Sequence, residues 1–431
     1  MTHWKSLIAA SAVAAVAGTA VVAEGLYVPN LSYRTGPFAA TGIPLMNGQR
    51  DYFEMLNARD GGIGGVMVDY DECETGYSTE KGVECYERTK DRAIVTQPWS
   101  TGITLQVLPK TNVDEIPILA PGYGFSPMSD GTTFQWAFNP PASYWDGMSM
   151  ILQEISGGDL SSLAGKKIAH LHLDHPYGKE PLPLLEAMGE AHGFEVLPIP
   201  VGISEMQNQS AQWLQIRRES PDYVIMWGWG AMNAGAITEA VKTRYPMDQF
   251  IGVWWSGHSD DLQLVGEKGA GYRAISWSLP NPDAPVMQEI RELVGDKSLA
   301  DAEEQGEVFY GRGVIISAIL AEAIKVAQDM HGTAEIGPGE LRDGLANLNF
   351  TSERIDELGL SGMMAPFSTN CGNHTGHSGA WMIQWDGEMF VQASDLLTAD
   401  RDAIMPLEAE KAAEYAEANA PWPVNEACEA M

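Results

Sequence analysis

At 431 residues the chain is long enough for two to three domains of ordinary size, and its 45% hydrophobic and 9% aromatic content excludes wholesale disorder. Lys and Arg total 26 against 58 Asp and Glu, a net charge of −32. So acidic a shell repels nucleic acid and anionic lipid, which excludes partners held through phosphate contacts, and it suits a salt-adapted setting outside the cytoplasm.

His3 and Lys5 form a short basic opening, residues 7–23 carry no charge, and Val21-Val22-Ala23 places small residues before Glu24. The pattern predicts a cleaved export signal over 1–23. The run is less apolar and shorter than the ~20 residues of a spanning helix, so no stable membrane anchor is expected. Four cysteines fit an exported chain and read as two disulfides. Cys73–Cys85 would clip a strand end to the next helix, and Cys371–Cys428 would tie down the tail. Zinc ligation is the alternative, without paired C-x-x-C spacing.

Strand and helix then alternate. Residues 26–31 are a β-prone run closed by Gly36-Pro37, and 45–58 carry Leu45, Met46, Tyr52, Phe53 and Leu56 at helical spacing before the glycine-rich break at 61–65. Strands are predicted over 66–70, 93–96 and 116–119, and helices over 79–92 and 101–109. After Trp145 the pattern restarts, with strands at 167–173, 194–199, 223–226, 250–253 and 272–277 and helices at 181–192, 211–219 and 231–244. Helices at 308–328 and 338–348 follow. Next come a hairpin of 381–385 with 388–391 around Asp386-Gly387, a helix at 407–418 and an extended tail at 420–423. Such alternation predicts an α/β chain of two doubly wound lobes.

Several short motifs carry a likeness in order. Thr35-Gly36-Pro37-Phe38-Ala39, Met46-Asn47-Gly48 and Asn57 with the double-Gly turn are followed by Asp69-Tyr70-Asp71-Glu72-Cys73 and Trp99-Ser100-Thr101-Gly102. Tyr177-Gly178, Pro221-Asp222-Tyr223-Val224 and Gln384-Trp385-Asp386-Gly387 complete the series. Together they resemble the type I periplasmic solute-binding proteins of ABC importers, the branched-chain amino acid (Leu/Ile/Val) binding family. The resemblance implies two Rossmann-like lobes joined by three crossovers, with the late helices returning to the first. Lobe one would be 24–142 plus 281–365, lobe two 143–280 plus 366–400, and 401–431 a C-terminal helix and tail. It also implies a monomeric periplasmic receptor that captures a small organic solute and delivers it to an ABC-transporter membrane permease, with no cofactor and no catalysis. An extracytoplasmic ligand sensor partnered with a membrane kinase is the alternative, and a secreted hydrolase a third.

In open α/β sheets ligands bind outside the carboxyl ends of strands, so residues just after strands are the candidates. In lobe one these are Thr41, Trp99, Ser100, Thr101, Gly122, Tyr123 and Gly124; in lobe two, Tyr177, Trp227, Trp229, Trp255 and Ser256. By resemblance, Ser100 matches the family's hydroxyl for the ligand carboxylate. Gly124 stands at the neighbouring threonine position, Thr41 at the family's Trp, and Ser256 where an acid would pair with the ligand ammonium. An ammonium closed in without that acid loses roughly 2–5 kcal/mol, so a plain branched-chain amino acid is not the expected ligand. The crowd of Trp99, Tyr123, Trp227, Trp229, Trp254 and Trp255 suits a planar or aromatic acid, an amide, or a quaternary ammonium. Each Trp is equally readable as packing. Strand alternation puts Trp227 and Trp229 on one face and separates Trp254 from Trp255, so one of the latter is expected to be structural.

Other chemistries find less support in these residues. His170, His172 and His175 with His374 and His377 could be drawn as a metal site, but about 200 residues separate the clusters and no acidic spacing links them, so core histidines and no metal are expected. Ser256, His258 and Asp260 are too close in sequence to converge as a triad. G-x-S-x-G, H-E-x-x-H, P-loop and G-x-G-x-x-G patterns are lacking. Asp69, Asp71 and Glu72 read as a solvated strand end, with Ca²⁺ as the alternative.

Overall fold

The computed structural model describes residues 25–425 and Cys428. The export-signal reading over 1–23 lies outside the described residues.

Two parallel-rich sheets organise the chain. In the first, β1 (Leu26–Asn30) pairs in parallel with β2 (Val68–Glu72). Single bridges from Asn30 to Gln97 and from Thr96 to Ile118 carry it on to β3 (Ile118–Leu119), which pairs with β4 (Ala137–Phe138). The strand expected at 93–96 is therefore only a pair of bridging residues. Pro98 has no N–H to continue the ladder, and Trp99 turns away at φ 52°.

The second sheet begins with five parallel strands: β5 (Lys167–Leu173), β6 (Glu195–Val201), β7 (Tyr223–Trp227), β8 (Phe250–Gly252) and β9 (Arg273–Ser276). A separate antiparallel pair, β10 (Asn349–Phe350) and β11 (Phe367–Ser368), follows. Then β12 (Trp381–Trp385) adds antiparallel to β9 and β13 (Phe390–Gln392) antiparallel to β12, giving the order β13-β12-β9-β8-β7-β5-β6. Past Lys167, β5 is buried to its end, as a central parallel strand requires. At the edge, β6 carries Pro198 and Pro200, which cannot donate to a further strand and so blunt that edge.

The chain leaves the first sheet after β4, returns after β9, and re-enters the second sheet at β12. The returning helix, Val308–His331, lies along the Ala39–Asp60 helix in backbone contact. A Cβ on Gly48 would stand 2.2 Å from the Tyr310 carbonyl oxygen, and one on Gly313 2.2 Å from that of Leu45. Backbone cannot give way as a side-chain tip can. Gly313→Val should therefore cost about 3 kcal/mol, read as a fall in Tm; an unchanged Tm would mean the two helices part freely.

Both disulfides, Cys73–Cys85 and Cys371–Cys428, are formed as paired from the sequence. The Arg401–Ala418 helix is fastened by a buried ion cluster. Asp146, fully buried in the Tyr144–Ser156 helix, takes the His377 ring at 2.9 Å and the Arg401 guanidinium at 2.8 Å, and Arg401 also holds Glu408. Burial alone would raise the Asp146 carboxyl; His377 and Arg401 instead hold it well below the usual range. Trp422 Nε1 donates to the Thr133 carbonyl at 2.7 Å and pins the tail beyond.

Candidate functional site

The carboxyl ends of the two sheets meet around a half-open space that leaves about 20 Å³ free. Tyr33, Tyr77, Trp99, Ser100, Thr101 and Tyr123 line it from one side, and Tyr144, Tyr177, Trp229 and Trp255 from the other. Most arrive by the same device, a turn just past a strand: Tyr33 after β1, Tyr77 after β2, Tyr123 after β3, Tyr177 after β5, Trp229 after β7 and Trp255 after β8.

Trp99 is held in its left-handed conformation by donating its N–H to the Tyr123 hydroxyl at 2.7 Å, and the two rings stack at 5.4 Å. Ser100 then caps the Thr101–Asp114 helix with its backbone alone; its side chain makes no cap hydrogen bond. Across the gap, the Tyr177 hydroxyl donates to Gly228 O at 2.8 Å. The indoles of Trp254 and Trp255 both donate to Gly122 O, at 2.8 and 3.2 Å, which joins the two sides. Trp229 stands edge-on to Trp255 at 5.3 Å and to Tyr33 at 6.4 Å.

Four polar atoms on these walls have no partner in the protein: Trp99 Nε1, Ser100 Oγ, Thr101 Oγ1 and Trp229 Nε1. Burial pushes the Tyr33 and Tyr77 phenols up, while nearby Trp229 and Ser100 pull them partly back without reaching hydrogen-bond geometry. The lining contains no charged side chain. Behind Tyr144 sits Glu180, a half-buried residue whose carboxyl is itself buried: Oε1 accepts from Ser126 N at 2.7 Å and Oε2 has no partner. Burial, with Glu408 and Asp146 nearby, pushes that carboxyl up to about 8.

Of the residues expected from sequence, Trp99, Ser100, Thr101, Tyr123, Tyr177, Trp229 and Trp255 come together here. Five others do not line the space. Thr41 lies inside the Ala39–Asp60 helix and donates to Phe38 O. Gly122 offers its carbonyl to the two indoles, and Gly124 is packed by Met128 and Ala120. Ser256 Oγ turns to Gly228 O at 2.9 Å and Asn233 Oδ1 at 3.2 Å. Trp227 is buried between Tyr144 and His170.

Neither alternation argument carries over to the Trp pairs. β7 ends at Trp227, which packs against Tyr144 and His170, whereas Trp229 lies past the strand end, just before the chain turns at Gly230, and lines the space. Trp254 and Trp255 sit in a 3₁₀ turn rather than a strand, which lets both reach one carbonyl. Three lining residues lie outside the sequence-based candidates: Tyr33, Tyr77 and Tyr144. The first two occupy the same post-strand position that selected Trp99, so their signal was present. Tyr144 opens a helix whose start is marked by a Ser143–Asp146 capping box.

The other candidate groups are occupied. His170 Nε2 meets Gly178 O at 2.8 Å, its ring stacks on His172, and burial pushes it down to about 3. His175 accepts from Tyr177 N, His374 meets Ala137 O and His377 meets Asp146. Asp69 pairs with Arg92, Asp71 accepts from Tyr27, and Glu72 pairs with Arg34.

A family model described as periplasmic binding protein matches residues 25–389. The chain is similar to a solved structure named as an ABC transporter permease from the Pseudomonas fluorescens group, 33% identical over 93% of this chain and 98% of that one, with a TM-score of 0.84. It shares its fold with a branched-chain amino acid ABC transporter protein from Thermus thermophilus with bound valine (20% identity, 88% and 98% coverage, TM-score 0.76). A solute-binding protein from R. palustris in complex with benzoate is similar at 18% identity, 87% and 98% coverage and a TM-score of 0.66. No curated protein matches the chain.

Proposed function

The chain belongs to the periplasmic binding protein family, and from that premise we propose that it captures a small organic solute between two hinged lobes, 24–142 plus 281–365 and 143–280 plus 366–400, and delivers it in the periplasm to an ABC-transporter membrane permease. The solute first meets one lobe, and its greater affinity for the closed arrangement drives closure. Among the described residues no helix is long and apolar enough to cross a membrane.

One observation supports this reading above the rest. Trp99 Nε1, Ser100 Oγ, Thr101 Oγ1 and Trp229 Nε1 stand unpartnered on the walls of the space between the halves. A buried polar atom left unpaired costs about 1–3 kcal/mol, so four on one surface favour a ligand that supplies their partners.

The same atoms narrow the ligand. Ser100 and Thr101 lie at the start of a helix, where hydroxyls and free N–H groups receive a carboxylate or an amide oxygen. Tyrosine and tryptophan faces stack on a planar body. The free space, about 20 Å³, admits a solute only as the lobes part, and no lining carboxylate answers an ammonium. The ligand we propose is a small planar acid or amide rather than a branched-chain amino acid. A thermal-shift screen of the mature protein with leucine, aromatic and short-chain acids, amides and betaines tests it. An acid or amide should raise Tm by several degrees and leucine should not; a rise with leucine and none with any acid or amide would overturn the ligand class.

A further inference from the structure

A buried cation that no carboxylate answers lies one indole away from the lined space. Arg312, near the start of the Val308–His331 helix, is fully buried. Its Nε donates to Ser278 Oγ and its Nη2 to Ser276 Oγ, each at 2.8 Å, and Nη1 donates to Trp254 O. All three acceptors are neutral. The guanidinium lies over the rings of Trp255, Phe309 and Trp277 at 5.2, 5.3 and 5.4 Å. Acids in the neighbourhood are engaged elsewhere: Asp261 accepts from Asn233 Nδ2 at 3.0 Å, and Glu307 faces the His258 ring at 3.3 Å. Desolvation lowers Arg312 to about 9, which leaves it charged at neutral pH.

Resting on the reading of the Tyr- and Trp-lined space as the ligand site, we propose that Arg312 selects ligand charge: acting through Trp255, it makes the aromatic box reject cations, quaternary ammonium ions included, and admit amides and carboxylates. The box looks made for a cation, since Trp and Tyr faces attract one. But the Trp255 face already carries a guanidinium, so its electron density is engaged. A second cation across the same ring, on the order of 9 Å away at an effective dielectric of 20, binds roughly 20-fold more weakly than a neutral molecule of the same shape. The start of the Thr101–Asp114 helix contributes partial charge of the same sign. Glu180, behind Tyr144 on the second side, does not offset it, because its buried carboxyl stays largely protonated at neutral pH. Local preference thus opposes the chain's net charge of −32, which would draw cations toward the surface.

The test compares isosteres that differ only in charge: acetate, acetamide and acetamidinium, and benzoate, benzamide and benzamidinium. Affinities are measured by calorimetry on the full mature protein, its Arg312→Met variant and its Arg312→Lys variant. The wild type should bind the acid or amide at least 20-fold more tightly than the matching amidinium. Arg312→Met should bring that ratio near one, and Arg312→Lys should keep it. A purely structural role would weaken all three probes alike and leave the ratio unchanged, which overturns the proposal. So does a wild type that binds an amidinium as tightly as its amide, a comparison that needs no variant to fold. Failure of every probe in both trios would instead sink the ligand-site reading, and charge selection with it.

Discussion

Ser100→Ala should weaken binding of the acid or amide that raises Tm by roughly 10–100-fold, while the free protein melts at the same temperature or slightly higher. Serine at the N-cap of a helix ordinarily accepts a hydrogen bond from the first turn, and its loss costs about 1 kcal/mol. Ser100 makes no such bond, and its Oγ has no partner. Removing the hydroxyl therefore removes a burial cost rather than a contact, whereas the ligand loses an oxygen worth about 1.5–3 kcal/mol to a charged group. The chain contains its own control. Thr351 accepts from Arg354 N at 3.1 Å at the cap of the Ser352–Glu357 helix, remote in sequence from the lining residues. Thr351→Ala should lower the stability of the free protein by about 1 kcal/mol and leave ligand affinity intact. Were Ser100→Ala to behave like Thr351→Ala, the serine would be an ordinary cap and the ligand would lie elsewhere. Opposite signs on stability and affinity are the signature of a group kept for function.

Trp255 links three parts of the proposed mechanism. Its indole N–H reaches Gly122 O from the opposite side, its ring walls the lined space, and the Arg312 guanidinium lies over that ring. Contact between the halves, ligand surface and local charge therefore pass through one side chain. A ligand seated against Trp255 favours the arrangement in which the Gly122 contact is made, which gives closure the differential affinity it needs.

Most of the architecture was legible because burial in a parallel sheet leaves long apolar runs. β5 spans the expected 167–173, and β12 the expected 381–385 beside the Asp386-Gly387 turn. The misses have physical causes. The Pro285–Leu293 helix is short and sits among Pro and Asp residues that read as loop. The rule of strand ends found the right neighbourhood, but it cannot tell whether a residue contributes its side chain or its backbone. Gly122 was selected and supplies only a carbonyl; Tyr33 and Tyr77 were passed over although they follow β1 and β2 just as Trp99 follows the 96–97 bridges. Of Trp254 and Trp255, one was expected to be structural, and Trp254 is buried outside the lining that Trp255 joins; the two sit in a 3₁₀ turn past the end of β8 rather than alternating along a strand. Arg312 did leave a trace, as a lone charge between Gly311 and Gly313 in an otherwise apolar stretch, but sequence alone does not say that such a charge lacks a counter-ion.

Glu180→Gln should stabilise the protein, and by more at pH 8.5 than at pH 5. Burial raises the folded-state pKa of Glu180 from the ordinary glutamate value of 4.5 to about 8. Between those two values the unfolded chain releases its proton and the folded chain retains it. The folded state then binds more protons, so stability falls as pH rises through this window and levels off above it. At about 1.4 kcal/mol per unit, the loss accumulates to a few kcal/mol by pH 8. Glutamine keeps the acceptor that Ser126 N uses and cannot ionise, so its advantage is absent near pH 4 and grows toward pH 8. Asp146 acts in the opposite direction. Its folded-state pKa is depressed, so its contribution is present above the ordinary aspartate value and is lost as pH falls below it. The two carboxyls thus act in opposite directions: Asp146 contributes stability above the ordinary aspartate value, and Glu180 costs stability above the ordinary glutamate value. Denaturant unfolding of the wild type and Glu180→Gln at pH 5 and 8.5 measures the gap directly. Parallel stability at both pH values would mean that water reaches the Glu180 carboxyl and that it ionises in the folded protein as freely as in the unfolded one.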